Sequence, residues 1–267
     1  MRLLIDDTFA TGTYTVPIAS AWVLPPASLT VEIANRLSPD SAPIDSAVLA
    51  PSSQILRLQQ THAVVNDFAV IADGNGAIAM RTPVRPDEVE ATPVRLLETS
   101  GAAELLARAT LKPYYGIEPT RWVRDSDPGD AAHAEVVIVE GGEALREPEG
   151  GFSEDLGRAW FILTSQPVVT HVLLVPRALP ARDRTELVTF LDAARKEGLA
   201  RRRDWRPRLA DREGVGRDRA SAFWAAQRLS LEEADRRALL DLLHKGSRGT
   251  SDAPPTNVTF TNGAGSD

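Results

Sequence analysis

The chain has 267 residues, 43% hydrophobic and 25% charged, an ordinary balance for a globular protein. Its 37 acidic against 30 basic residues leave a formal net charge of −7, which argues against non-specific nucleic-acid binding. Cysteine is absent, so disulfides, thiolate nucleophiles and cysteine metal sites are excluded.

Arg2 to Ile5 reads as a short buried strand, closed by the polar residues Asp6, Asp7 and Thr8. Nothing in this start has the form of a secretory signal. Gly12 to Pro17 is a loop or a helix start. Val23 to Pro26 then leads to a second strand, Leu29 to Ile33, where apolar and polar residues alternate. Pro39 to Pro43 is a loop, and Ile44 to Leu49 is a third strand broken at Pro51. Ser52 to Gln60 suits a short amphipathic helix. Val64 to Ala72 is a strand that runs into Asp73-Gly74-Asn75-Gly76, read as a hairpin turn, with a further strand from Ala77 to Met80.

Arg85 to Val89 fits one helical turn and Val94 to Leu97 a strand. Gly101 to Leu111 fits a helix with Leu105, Leu106 and Ala109 on one side. Asp125 to Asp130 is turn-rich. Glu135 to Val139 is a buried strand ended by Glu140-Gly141-Gly142, and Glu143 to Leu145 starts a short helix. Asp155 to Leu163 is helical, and Val168 to Val175 is an apolar, β-branched strand. The last third is helical: Arg182 to Gly198, Ala220 to Arg228, and Ser230 to His244, with Ser230 and Glu233 spaced as a capping box. Residues 247–267 have the composition of a disordered tail.

This alternation predicts an α/β fold with mostly parallel sheets. It divides into lobe one, residues 1–92 plus 172–246, and lobe two, residues 93–171, with hinge crossovers near 92 and 171. No run approaches the ~18 apolar residues of a membrane span. The expected protein is cytoplasmic, with no membrane insertion, no nucleic-acid partner and no cofactor. None of the four histidines, His62, His133, His171 and His244, pairs at metal-ligand spacing, so no metal is expected.

Two matching junctions carry most of the functional signal. Ala47-Val48-Leu49-Ala50-Pro51-Ser52-Ser53 and Val94-Arg95-Leu96-Leu97-Glu98-Thr99-Ser100-Gly101 each pass from a strand into a helix. Unpaired N–H groups and hydroxyls at such helix starts suit a carboxylate or phosphate. Ser52 and Ser53, and Thr99, Ser100 and Gly101, are therefore candidate ligand contacts; ordinary N-capping is the competing account. Thr164 and Ser165 near the return crossover read either as cleft hydroxyls or as a hinge turn. Asp6, Asp7 and Thr8 stand at the carboxyl end of the first strand, where α/β proteins bind ligands. Asp6 or Asp7 could orient a substrate hydroxyl or act as a base, or be a solvated turn acid. Glu140 reads as a cleft acid or a surface turn. His171 is the histidine best suited to proton abstraction, against a purely structural role in its strand. The arginine-rich stretch 201–219 is interleaved with acids and reads as a solvated helical surface.

From Ile44 onward the chain resembles the menaquinone-biosynthesis enzymes of the futalosine route, chorismate dehydratase and 1,4-dihydroxy-6-naphthoate synthase. The similarity runs through Ile44 to Ser53, Phe68 to Ile78 and Glu98-Thr99-Ser100-Gly101. It continues in Ala134 to Leu145, Glu154-Asp155-Leu156-Gly157-Arg158-Ala159-Trp160 and Leu163 to Val169. The resemblance implies a type II periplasmic-binding-protein fold, two lobes around a central cleft, and a small carboxylate metabolite as partner. It implies either a dehydratase-like carbon–oxygen lyase, with His171 or Asp6 as base, or a non-catalytic binder on the same scaffold. The first strand differs from the family: Asp6-Asp7-Thr8 stand where an asparagine-bearing segment is usual.

Overall fold

The computed structural model describes residues 1–35, 37, 44–74, 77–124, 135–250 and 255–263. The loop expected at Pro39 to Pro43, Asn75 and Gly76, the turn at Asp125 to Asp130 and His133 lie outside these. The elements run β1 (Arg2–Asp7), α1 (Gly12–Ala19), β2 (Thr30–Asn35), β3 (Ala47–Pro51), α2 (Gln54–Leu58) and β4 (His62–Ala72). Next come β5 (Ile78–Thr82), β6 (Ala91–Leu96), α3 (Gly101–Thr110), β7 (Glu118–Arg124), β8 (Val136–Glu140), α4 (Gly142–Leu145), β9 (Phe152–Asp155) and α5 (Leu156–Thr164). The chain closes with β10 (Val168–Pro176), α6 (Ala181–Ala200), α7 (Arg202–Arg212), α8 (Arg217–Ala225), β11 (Gln227–Arg228), α9 (Glu233–Gly246) and β12 (Thr259–Thr261).

These strands form two sheets. The first has the order β11-β4-β10-β3-β1-β2, with β12 also on β4; the second has the order β7-β6-β8-β5-β9. The chain therefore changes sheet between Ala72 and Ile78 and returns between Thr164 and Val168, in place of the crossovers expected near 92 and 171. Hydropathy alternation marks a strand without saying which sheet receives it. β5 pairs with β8 and β9 rather than folding back on β4, so β4 and β5 do not form the expected hairpin. His171 consequently lies inside the first sheet. Both sheets are mixed rather than mostly parallel. β1 runs parallel to β2 and β3, and β6 parallel to β7 and β8. β10 re-enters from the second sheet and runs antiparallel to β3 and β4.

Apolar residues at strand and helix periods fill both lobes. One face of the first sheet buries Leu3, Ile5, Leu49, Phe68 and Leu173 beside Leu187 and Leu191 of α6. The other buries Leu4, Val48, Ile71 and Val172 against α2 and against Leu239 and Leu243 of α9. The second sheet packs Met80, Val94 and Ile138 on Leu106 of α3 and Trp160 of α5. Leu242 of α9 joins this second core while Leu105 of α3 joins the first. The two helices thus lock the lobes together.

Two details depart from the sequence expectation. The capping box of α9 sits two residues later than Ser230 and Glu233. Glu232 and Asp235 form it, because buried Asp235 takes the Glu232 N–H at 2.9 Å and two bonds from Arg228 at 2.6 and 2.8 Å. The C-terminal segment is also not simply a disordered tail. Thr259 to Thr261 pair in parallel with Ala63 to Val65. The Gln59 side chain accepts from Thr256 N–H, and Asp67 from Gly263 N–H at 2.6 Å. Composition missed this strand because its stability comes from the uncovered edge of β4, not from its own residues.

The α3–α9 contact depends on a missing side chain. A Cβ at Gly246 would stand 2.6 Å from the Leu105 carbonyl oxygen and 2.8 Å from Leu105 Cα. Backbone cannot rotate out of the way, so Gly246→Ala is expected to destabilise the fold by about 1–3 kcal/mol. Urea denaturation should show this as a lowered midpoint at unchanged slope.

Candidate functional site

The carboxyl ends of the parallel strands in both sheets point toward each other. A cavity of about 970 Å³ opens between them. Asp7, Thr8 and Phe9 follow β1, and Asn35 ends β2. Opposite stand Leu96 to Thr99 after β6, Arg124 at the end of β7, and Glu140 to Glu143 where β8 turns into α4. Arg146, and Arg212 and Glu213 from the end of α7, complete the wall. Glu213 packs on the second lobe: a Cβ at Gly142 would lie 2.8 Å from Glu213 Cβ.

The two junctions meet. A Cβ at Gly101 would stand 2.3 Å from Ser53 Oγ, so Gly101 lets the α3 start close onto the α2 start. Neither serine of the first junction caps α2 with its side chain. Ser52 is fully buried, its N–H donates to the Thr170 carbonyl at 2.8 Å, and its Oγ has no partner among the described residues. At the second junction Ser100 is the N-cap of α3 and its Oγ accepts from Ala103 N–H.

The acceptor at the start of α3 is the protein's own side chain. Glu140 accepts the Ser100 N–H at 2.6 Å, and its other oxygen bonds Ser100 Oγ at 2.9 Å. The helix start therefore satisfies a side chain of β8, where the sequence had suggested a ligand. Burial pushes the Glu140 carboxyl above its usual range, and the charge of Asp6 adds to this. The Ser100 N–H, His171 and the Ser100 hydroxyl oppose the shift without cancelling it. Beside this pair, Thr99 lines the cavity and its Oγ1 has no partner among the described residues.

Asp6 and His171 stand apart from the cavity wall. Both are 0% exposed. His171 Nε2 and Asp6 Oδ2 lie 3.1 Å apart, Asp6 Oδ1 accepts the Leu37 N–H at 2.6 Å, and His171 Nδ1 is 3.1 Å from Thr170 Oγ1. Neither lines the cavity, so the structure does not put the two sequence-nominated bases in contact with a ligand there. Thr164 and Ser165 are also elsewhere: Thr164 Oγ1 donates to the Trp160 carbonyl, and Ser165 ends α5 in a left-handed conformation (φ 56°). They build the return turn.

Of the sequence-nominated residues, Asp7, Thr8, Thr99 and Glu140 line the cavity. Ser52, Ser53, Ser100 and Gly101 form the lobe contact. The arginines were missed. Arg146 pairs with Glu143 at 2.6 Å, Arg212 with Glu213 at 3.2 Å, and Arg124 with Glu104. Strand-end position marks Arg124 in retrospect. Nothing local marks Arg212, which reaches the cavity only because α7 packs back onto the second lobe. Among the described residues no group of three or more histidine, aspartate or glutamate side chains could hold a metal ion. None of their helices is long and apolar enough to cross a membrane.

A sequence model of the family described as menaquinone biosynthesis matches residues 41–248. No curated protein matches the chain. Among solved structures, a protein from Archaeoglobus fulgidus superposes with TM-score 0.64 at 12% identity, covering 92% of this chain and 96% of that one. A Candida albicans protein described as having the generic periplasmic binding protein fold gives 0.62 at 8% identity, covering 98% and 96%. The alkanesulfonate-binding protein of Xanthomonas axonopodis pv. citri, bound to MOPS, gives 0.60 at 12% identity, covering 98% of each chain. The fold is of the periplasmic-binding-protein type.

Two measurements test this geometry. Gly101→Ala is expected to cost about 1–3 kcal/mol by forcing the Ser53 side chain aside, and Ser53→Gly in the same chain should restore most of the loss. The raised carboxyl of Glu140 means that the folded chain holds a proton which the unfolded chain releases near the ordinary value of 4.5. Stability should therefore fall as pH rises from about 4.5 toward the folded-state value. Urea midpoints across this window should show the fall in the native chain and a flatter profile in Glu140→Gln.

Proposed function

The chain belongs to the menaquinone-biosynthesis family, and we propose that it binds a small carboxylate metabolite in the cavity between its sheets and acts on it as a dehydratase-like lyase. The observation that carries this reading is Glu140, a cavity carboxyl held toward its protonated form by burial. Loss of water from a carbon skeleton needs a base to take a proton and an acid to protonate the leaving oxygen. Glu140 is the candidate for the second task, since burial biases its carboxyl toward the form that can donate a proton. Asp7, across the cavity at the end of β1, is the candidate base on the opposite wall. Thr99 lines the same cavity, with its Oγ1 buried and without a partner among the described residues.

The start of α3 does not serve the substrate carboxylate in this reading, because Glu140 already takes the Ser100 N–H and hydroxyl. Arg124, Arg146 and Arg212 supply the positive charge instead. Each is shared with a neighbouring glutamate, so a ligand carboxylate competes for it rather than finding it bare. His171 and Asp6 lie behind Glu140. Their charges act on its carboxyl from opposite directions, which supports a positioning and tuning role for the pair rather than direct proton abstraction.

A second reading is a non-catalytic binder of the same kind of metabolite. The cavity supports it in one respect: among the described residues its wall carries aspartate, glutamate and arginine side chains but no histidine. The anion held by the structurally similar alkanesulfonate-binding protein is consistent with it.

Mass spectrometry of chorismate incubated with the purified full chain separates the readings. A product lighter by one water is expected, with Glu140→Gln lowering kcat by roughly 100-fold or more. Saturable binding of chorismate or another small carboxylate without any turnover would remove the lyase reading and leave the binder.

A further inference from the structure

A second pocket, of about 390 Å³, lies on the far side of α7 and shares no lining residue with the cavity between the sheets. Four arginines border it: Arg202, Arg203 and Arg206 from α7, and Arg217 from the start of α8. Trp224 contributes to its floor and Asp218 is the acid among its lining residues. The pocket is small, toward the lower end of the ~300–1,000 Å³ typical of ligand sites. It is unusually cationic for a chain with a net charge of −7.

Arg206 is the informative residue. Its guanidinium stands 5.6 Å from the Trp205 ring centre and 5.5 Å from that of Trp224, and both rings are buried. Contact with ring faces occupies the guanidinium through its π system and leaves its in-plane N–H donors unspent. Arg206 Nε is buried and has no acceptor among the described residues. Neighbouring arginines are otherwise committed. Arg217 forks onto Asp211 at 2.7 and 3.2 Å, Arg212 meets Glu213, Arg201 meets Glu197 and Asp204, and Arg202 donates to the Leu199 carbonyl at 2.8 Å. No carboxylate among the described residues pairs with Arg206 or with Arg203. Burial and the charge of Arg202 push the Arg206 guanidinium below its usual value, the mark of a cation held without its counter-charge.

The geometry points to a second ligand site here, one for a compact oxyanion of the phosphate-monoester type, gripped by Arg206 and Arg203 above Trp224. A tetrahedral dianion offers three strong acceptors to two guanidinium groups, and planar N–H forks match phosphate oxygens bidentately. A flat carboxylate would engage one fork and leave the rest of the positive charge uncompensated. The small volume argues against a nucleic-acid strand, which needs an extended groove, and the acids interleaved along residues 201–219 break any continuous basic track. α7 also carries Arg212 into the cavity between the sheets, so one rigid helix borders both sites. The assignment rests on the arginines alone and stands whether or not the larger cavity is catalytic.

Isothermal titration of the full chain with inorganic phosphate, at fixed ionic strength, tests the site. One saturable site is expected. Arg206→Ala should weaken it by at least 10-fold, and Arg206→Lys should also weaken it, since an ammonium cannot fork. Because Arg206 packs on two tryptophans, Arg203→Ala is the control for folding: its side chain is exposed, and at least a 3-fold loss is expected. Asp218→Asn should tighten binding by removing the opposing charge. No saturable phosphate binding in the millimolar range, or equal affinity in the native chain and both alanine variants, would overturn the assignment. Vesicles of phosphatidylcholine with phosphatidic acid distinguish the source of the phosphoryl group. Phosphate-competed sedimentation with them identifies a lipid headgroup, and phosphate binding without sedimentation identifies a soluble ester.

Discussion

The pairing of Ala72 with Val168 sets the plan of the molecule. These residues end β4 and begin β10, the two strands through which the chain leaves and re-enters the first sheet. Both crossovers therefore start from adjacent, hydrogen-bonded positions, and the second lobe hangs from a narrow two-stranded neck. A neck of this kind resists sliding, because the ladder fixes register, and tolerates bending, because few residues span it. Three further contacts between the lobes are conditional on small residues. Gly101 admits Ser53, Gly142 admits Glu213, and Gly246 admits Leu105. Closure at the cleft base and clamping by α9 are thus written as absences of side chains.

Electrostatics at that base follow from the same closeness. Once the α3 start is brought against the first lobe, its N–H groups need an acceptor in a place that water reaches poorly. Glu140 supplies one from the neighbouring strand, and in doing so loses solvation. The Asp6–His171 pair is buried behind it on β1 and β10, the strands that flank β3. Three ionisable side chains from two sheets are consequently coupled through the floor of one cavity. Substituting any of them perturbs the others, so single-site variants here report on the group rather than on one residue.

Much of this was legible in the sequence, and the rest was not for definite reasons. Most long elements were readable because their apolar periodicity is strong: β4, β10, α3, α5, α6 and α9 all coincide with predicted runs. The order of motifs from Ile44 to Val169 carried the family and the fold. Sheet membership was not readable, since Ile78 to Thr82 alternates in the same way whether it pairs with β4 or with β8. The junctions were correctly placed at the strand ends, but their partner was not: no local pattern says that Glu140, forty residues away, will fill the start of α3. His171 looked like a base because imidazole titrates in the right range, yet burial in β10 keeps it from the cavity. Arg206 looked like part of a solvated face, and only tertiary contact with Trp205 and Trp224 sets it apart.

The β12 segment has a practical meaning for anyone handling the protein. β4 is long, and its outer edge is shared by β11 at one end and β12 at the other. Arg177 reaches the Asn257 carbonyl and the Asn66 amide reaches Asn262, so the strap is fastened at several points. A chain trimmed after Gly246 would retain all nine of its α-helices among the described residues. It would also bare the backbone donors and acceptors of Ala63 to Val65, an adhesive border to which other copies could zip. Truncation guided by composition would then yield precipitation from an otherwise intact fold, and a tag fused beyond Gly263 is the gentler modification.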